Sequence, residues 1–119
     1  MFYQRGMFKG NKITLMGLGL LGRGIGDAEF FAKEGAELIV TDLTTKRELK
    51  DSLAKLRKYK NIKYRLGGHN VKDFENRDFI LKAAGVPLDS THIKHAKDSG
   101  IPIIMSTALF ALLAPAKIV

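Results

Sequence analysis

The stretch KITLMGLGLLGRGIG, residues 12 to 26, restricts the possible folds more than any other part of this chain. Lys12-Ile13-Thr14-Leu15-Met16 is short and mostly apolar, as expected of a strand buried on both faces. Four glycines then fall within nine positions, MGLGLLGRG. Glycine loses more conformational freedom on folding than any other residue, and the leucines between these glycines do not suit a solvated loop. The backbone must therefore turn sharply here and come close to something. From about Leu20 to Glu34 the pattern becomes helical: Ile25, Ala28, Phe31 and Ala32 share one stripe, and Gly35 stops the helix. Glu37-Leu38-Ile39-Val40-Thr41 is a second strand, ending at Asp42.

Strand and helix signals continue to alternate. Thr45-Lys46-Arg47-Glu48 has capping-box spacing, which predicts a helix beginning there with Leu49, Leu53 and Leu56 on its apolar stripe. Ile62-Lys63-Tyr64-Arg65-Leu66 alternates as an edge strand with one wet face does, and Gly67-Gly68 breaks it. Residues 78–82 read as a fourth strand. Gly85 and Pro87 make a loop, Asp89 or Ser90 caps a helix to about Ser99, and Gly100 stops it. Residues 101–105 form a fifth strand, with Pro102 near its start, where a missing N–H is tolerated. Ser106 or Thr107 caps a last helix through Leu112 and Leu113. This order, with connections long enough for crossovers, predicts an α/β fold: a Rossmann-like, doubly wound parallel sheet of about five strands in three αβα layers. The domain is expected over 12–114, after a ragged lead-in over 1–11. Residues 115–119 read as the start of another strand, so the chain is expected to be the front part of something longer.

Composition narrows the chemistry. A chain of 119 residues, 45% hydrophobic and 27% charged, suits one soluble domain. There is no cysteine, hence no disulfide, thiolate metal site or cysteine nucleophile, which fits a cytoplasmic setting. No apolar run approaches the roughly 18 residues of a membrane span. The start, MFYQRGMFKGNK, has no apolar signal region. The net charge is +8, and most of the excess lies between Lys46 and Arg65 with only Tyr59 and Tyr64 as aromatics. That pattern favours a solvated basic helix face, and an interaction fragment that binds nucleic acid through Lys46–Arg65 stays open as the alternative.

Gly17, Gly19 and Gly22 match G-x-G-x-x-G, placed straight after a strand and opening a helix. Gly17 would make the tight turn, Gly19 would admit a diphosphate to the backbone, and Gly22 would let the helix pack on the strand. The amides of Leu20 and Leu21 would face the phosphates from a helix N-terminus. Gly24 and Gly26 are extra and would let the helix lie close to a neighbour. Asp42 stands about 20 residues past Gly22, where an acid would meet a ribose hydroxyl. Two plainer readings stay open: the glycines permit close packing only, and Asp42 forms or caps a turn. On these residues alone an NAD(P)-binding domain of an oxidoreductase or regulatory protein is also possible. His69, His92 and His95 read as surface histidines, since nothing supports a metal. Asp27 and Glu29, near the start of the first helix, suit its dipole. There is no serine elbow, no carboxylate dyad and no G-x-x-x-x-G-K-[ST] loop.

KITLMGLGLLGRG, ELIVTDL, AAGVPLDSTHIKHAKDSGIPI and STALFALLAPAKIV together resemble the N-terminal domain of the muramyl ligases of peptidoglycan synthesis, on the D-glutamate-adding branch. The resemblance runs from about Lys12 to the end. It implies a domain that holds the UDP part of a UDP-muramoyl substrate, UDP-N-acetylmuramoyl-L-alanine, and does not bind NAD. Carried over by position, Gly17, Leu18, Gly19, Leu20, Leu21 and Gly22 would form the diphosphate loop. Asp42, Leu43 and Thr44 would flank the uridine, and Gly85 would close the site. Two departures stand out. The family often has a hydroxyl residue where Leu21 stands, and Ser-Pro-Gly where this chain has Ala83-Ala84-Gly85. ATP and Mg2+ would serve the central and C-terminal domains of the whole ligase, which condense D-glutamate through an acyl phosphate. This piece needs no cofactor of its own and is not expected to catalyse the reaction.

Overall fold

The computed structural model describes residues 6–18, 23–83 and 90–105. Five strands, β1 (Lys12–Met16), β2 (Glu37–Asp42), β3 (Ile62–Leu66), β4 (Phe79–Lys82) and β5 (Ile103–Met105), form one sheet. All pairings are parallel, in the order β3-β2-β1-β4-β5. The connections between these strands carry helices α1 (Arg23–Lys33), α2 (Lys50–Leu56) and α3 (Thr91–Asp98), plus a 3-10 turn at Val71–Phe74. This is the doubly wound α/β architecture expected from the alternation.

The period of two along the strands sorts their side chains between two cores. Ile13, Leu15, Leu38, Val40 and Leu81 pack with Ala28 and Phe31 of α1 and with Leu56 of α2. On the opposite face, Met16 and Ile80 pack with Phe74, Ile93 and Ala96. β1 is central and apolar, and it is buried on both faces from Ile13 to Met16. β3, at the edge, exposes Lys63, Tyr64 and Arg65.

Several boundaries differ from the sequence reading. Residues 6–10 are not a ragged lead-in. Phe8 is buried, with its ring edge-to-face on Phe31 at 5.0 Å and on Phe79 at 6.1 Å. The Gly6 amide donates to the Glu34 carboxylate at 3.1 Å. Half of the Thr45 box forms: the Thr45 hydroxyl accepts from the Glu48 amide at 3.4 Å, while Glu48 Oε1 accepts from the Thr45 hydroxyl at 3.1 Å and not from its amide. Yet it holds a turn, and regular helix begins only at Lys50. β5 starts at Ile103 because Pro102 has no N–H, although the Pro102 carbonyl still accepts from Ile80 at 2.9 Å. The last helix, from 106 on, lies outside the described residues.

Candidate ligand-binding site

In this topology the chain leaves β1 toward β2 on one side and reaches β4 on the other. The strand order reverses there, and the crevice beyond the carboxyl ends of β1 and β4 is the place where doubly wound sheets bind ligands. The start of the glycine loop is fixed at that crevice. Gly17 follows β1 with φ at +101°, a conformation that L side chains rarely adopt. Its amide donates to the Thr41 carbonyl at 2.9 Å, tying the loop to the end of β2. The Leu18 side chain is buried in the α1-side core, and its carbonyl accepts from the Gly24 amide at 2.9 Å.

Asp42 is the hub of this arrangement. One carboxylate oxygen accepts from the Leu18 amide at 2.7 Å, and the other from the Thr44 amide at 2.8 Å. The second bond spans two residues and makes the turn that the plainer reading allowed. The first joins the glycine loop to β2 across 24 residues of sequence. The Asp42 carbonyl accepts from Gly68, and the Thr44 carbonyl from Gly67, so the turn after β3 is laced to the same corner. Leu43 stands 70% exposed at the lip. Of the residues picked out from sequence, Gly17, Leu18, Asp42, Leu43 and Thr44 therefore come together. Gly19, Leu20, Leu21, Gly22 and Gly85 lie outside the described residues.

Gly24, read as an extra glycine, is where α1 meets the loop. A Cβ there would stand 2.7 Å from the Leu18 carbonyl oxygen, whereas at Gly26 it would meet nothing within 4 Å. Lys82, which the sequence did not single out, is buried at the end of β4 beside Met16, and its ammonium donates to the Ala83 carbonyl at 3.0 Å. Asp27 is buried within α1 rather than exposed in its first turn. Glu29 accepts from the Tyr59 hydroxyl at 2.8 Å. Among the described residues no group of three or more His, Asp or Glu side chains could hold a metal.

His69 and His92 are not the surface histidines expected. His69 Nδ1 is hydrogen-bonded to the Thr41 hydroxyl at 2.6 Å, and its ring lies 5.4 Å from that of His92 and 6.2 Å from that of Phe74. Burial pushes the His69 imidazole below its ordinary pKa, and the neighbouring His92 adds to that; Asp42 and Asp73 pull weakly the other way. The unfolded chain then protonates His69 near pH 6.5, before the folded protein does. Below that pH the unfolded state holds the extra proton. Stability contributed by the neutral ring is thus present above pH ~6.5 and lost as pH falls through the lower folded value. Thermal melts from pH 7.5 to 5 should show the midpoint dropping, and His69→Asn should flatten the drop. Parallel curves for the two proteins would show that His69 is not the sensor.

Fold and site together define a doubly wound α/β domain, with the crevice in which such sheets bind ligands at the reversal between β1 and β4. The chain belongs to the family described as Mur ligase MurD-like, N-terminal domain, which it matches over residues 11–105. The UDP-N-acetylmuramoylalanine–D-glutamate ligase of Treponema pallidum is 37% identical over 115 residues, covering 96% of this chain and 22% of that protein. The same ligase of Borreliella burgdorferi (strain ZS7) is 41% identical over 90 residues, covering 75% of this chain and 20% of that protein. The chain thus spans about a fifth of the length of these curated relatives. Among solved structures, a pseudomurein peptide ligase type C from Methanothermus fervidus superposes with a TM-score of 0.60 at 22% identity. That match covers 83% of this chain and 20% of the other, and it bears on the fold alone. No helix among the described residues is long and apolar enough to cross a membrane.

Proposed function

We propose that this domain holds the UDP end of UDP-N-acetylmuramoyl-L-alanine for a cytoplasmic D-glutamate-adding ligase of peptidoglycan synthesis. The observation that carries the reading is the Asp42 hub, which pins the first residues of the glycine loop to the end of β2 beside the crevice at the strand-order reversal. A loop whose first residues are held this way has less to rearrange when a diphosphate arrives. Leu43, exposed beside Asp42 and Thr44, offers an apolar wall for a uracil ring. Gly19, Leu20, Leu21 and Gly22 supply the diphosphate amides in this reading, and Gly85 closes the site. ATP and Mg2+ belong to the ligase's other domains, because this sequence has no G-x-x-x-x-G-K-[ST] loop to hold a triphosphate.

Amide NMR titration of the chain tests this. UDP-N-acetylmuramoyl-L-alanine should shift the signals of 17–22, 42–44 and 85, and leave the β3 edge unmoved. NAD should shift none of them. Shifts with NAD alone would move the domain to the dinucleotide class, and silence with both at millimolar ligand would leave the glycines as packing residues.

A further inference from the structure

The charge of this chain is concentrated at one place in the fold. From Lys46 to Arg65, nine residues are Lys or Arg and two are Asp or Glu, an excess of seven out of the net +8. The topology puts this stretch at one side of the sheet, in α2, the edge strand β3 and the turns that flank α2. Between them runs an open groove of about 680 Å³, lined by Lys46, Lys50 and Arg57, the rings of Tyr59 and Tyr64, and an apolar floor that includes Leu53. All three cations are exposed, and none is in a salt bridge among the described residues.

We propose that this groove binds single-stranded nucleic acid. Charge alone would admit any polyanion, and the aromatic residues narrow the choice. The two tyrosines that stand apart in the sequence converge in the groove. The Tyr59 ring is anchored through its hydroxyl to Glu29, and Tyr64 is 38% exposed. Rings set among cations suit bases that stack while their phosphates meet lysine and arginine. An acidic protein segment would need the cations only. Guarding an edge strand against aggregation explains Lys63, which lies on β3 itself. It does not explain Lys50 and Arg57, which belong to α2 and its C-cap. None of the groove's lining residues belongs to the candidate UDP site, so the proposal does not rest on the UDP reading.

The test is fluorescence anisotropy of a labelled fifteen-residue oligothymidylate with the full chain. Three phosphate contacts predict that affinity falls about twentyfold between 50 and 200 mM salt. Tyr64→Ala should weaken binding about tenfold, as loss of one stacked base does, with its melting midpoint measured as a control for folding. The double variant Lys50→Glu/Arg57→Glu should abolish binding. Affinity that ignores salt would overturn the proposal. So would inorganic polyphosphate or poly-glutamate binding as tightly as the oligonucleotide with Tyr64→Ala unchanged, since either marks a surface that reads charge alone.

Discussion

Gly24→Ala is expected to lower the melting midpoint by about 8 °C and to loosen the glycine loop, although alanine is the better helix former. The new Cβ would stand 2.7 Å from the Leu18 carbonyl oxygen, 2.8 Å from Leu18 Cα and 2.9 Å from the Gly17 carbonyl oxygen. All three are backbone atoms. The loop has little room to retreat, because the Gly17 amide is bonded to Thr41, the Leu18 amide to Asp42, and the Leu18 side chain is buried. Overpacking of this kind costs roughly 1–3 kcal/mol. The helix propensity gain of at most about 1 kcal/mol offsets part of it, and less at the second residue of α1 than in its middle. A net loss of about 2 kcal/mol, at roughly 4 °C per kcal/mol for a chain of this size, sets the expected shift. Gly26→Ala is the matched control. Its Cβ would enter open space on the same helix, so it should stabilise by about 0.5–1 kcal/mol. Opposite signs two residues apart would locate the close approach. Equal midpoints would mean that the loop yields.

That contrast also marks how far sequence reasoning reaches. β1, β2 and β3 agree with the pattern almost to the residue in their bounds, because burial leaves a direct trace in side-chain polarity, but the alternation read in β3 fails at Tyr64, which is exposed beside Lys63 and Arg65. The glycine loop was legible for the same reason, being punctuation between two periods. Which glycine touches what was not. The motif assigns helix packing to Gly22, and the close contact found among the described residues belongs to Gly24. Backbone approach depends on how α1 lies over β1, and no local spacing encodes that. His69 was missed because its partners, Thr41 and His92, are more than 20 residues away on other elements. Phe8 was missed because Met7 and Phe8 stand between Gly6 and Lys9-Gly10-Asn11, with no period to reveal a buried face. Asp42 was found by its position at a strand end, and its turn bond to Thr44 by the plainer reading, but its bond to the Leu18 amide was not. The sequence marked an acid suited to a ribose hydroxyl, whereas the fold shows both oxygens accepting from backbone amides.

Those bonds make Asp42→Ala the second large effect. The carboxylate is buried and accepts two short amide bonds, at 2.7 and 2.8 Å. A hydrogen bond to a charged group contributes about 1.5–3 kcal/mol, and a buried donor left without an acceptor costs about 1–3 kcal/mol. The two amides share one acceptor group, so their contributions do not simply add. A loss of about 3 kcal/mol is expected, and about 2 kcal/mol for Asp42→Asn, which keeps one oxygen and turns an NH2 toward the other amide. Chemical denaturation gives the magnitude. Amide NMR gives the cause, since the Leu18 and Thr44 protons should move upfield and exchange faster with solvent. Ligand titration then separates two roles for the same carboxylate. If Asp42 serves the ligand only by holding the loop, Asp42→Asn and Gly24→Ala, with about equal losses of stability, should lose affinity for UDP-N-acetylmuramoyl-L-alanine in similar proportion. If Asp42 also meets the ribose, Asp42→Asn should lose more affinity than Gly24→Ala at matched stability. That excess would fall on the uridine half of the ligand, because Gly24 supports the loop and has no side chain to offer a sugar.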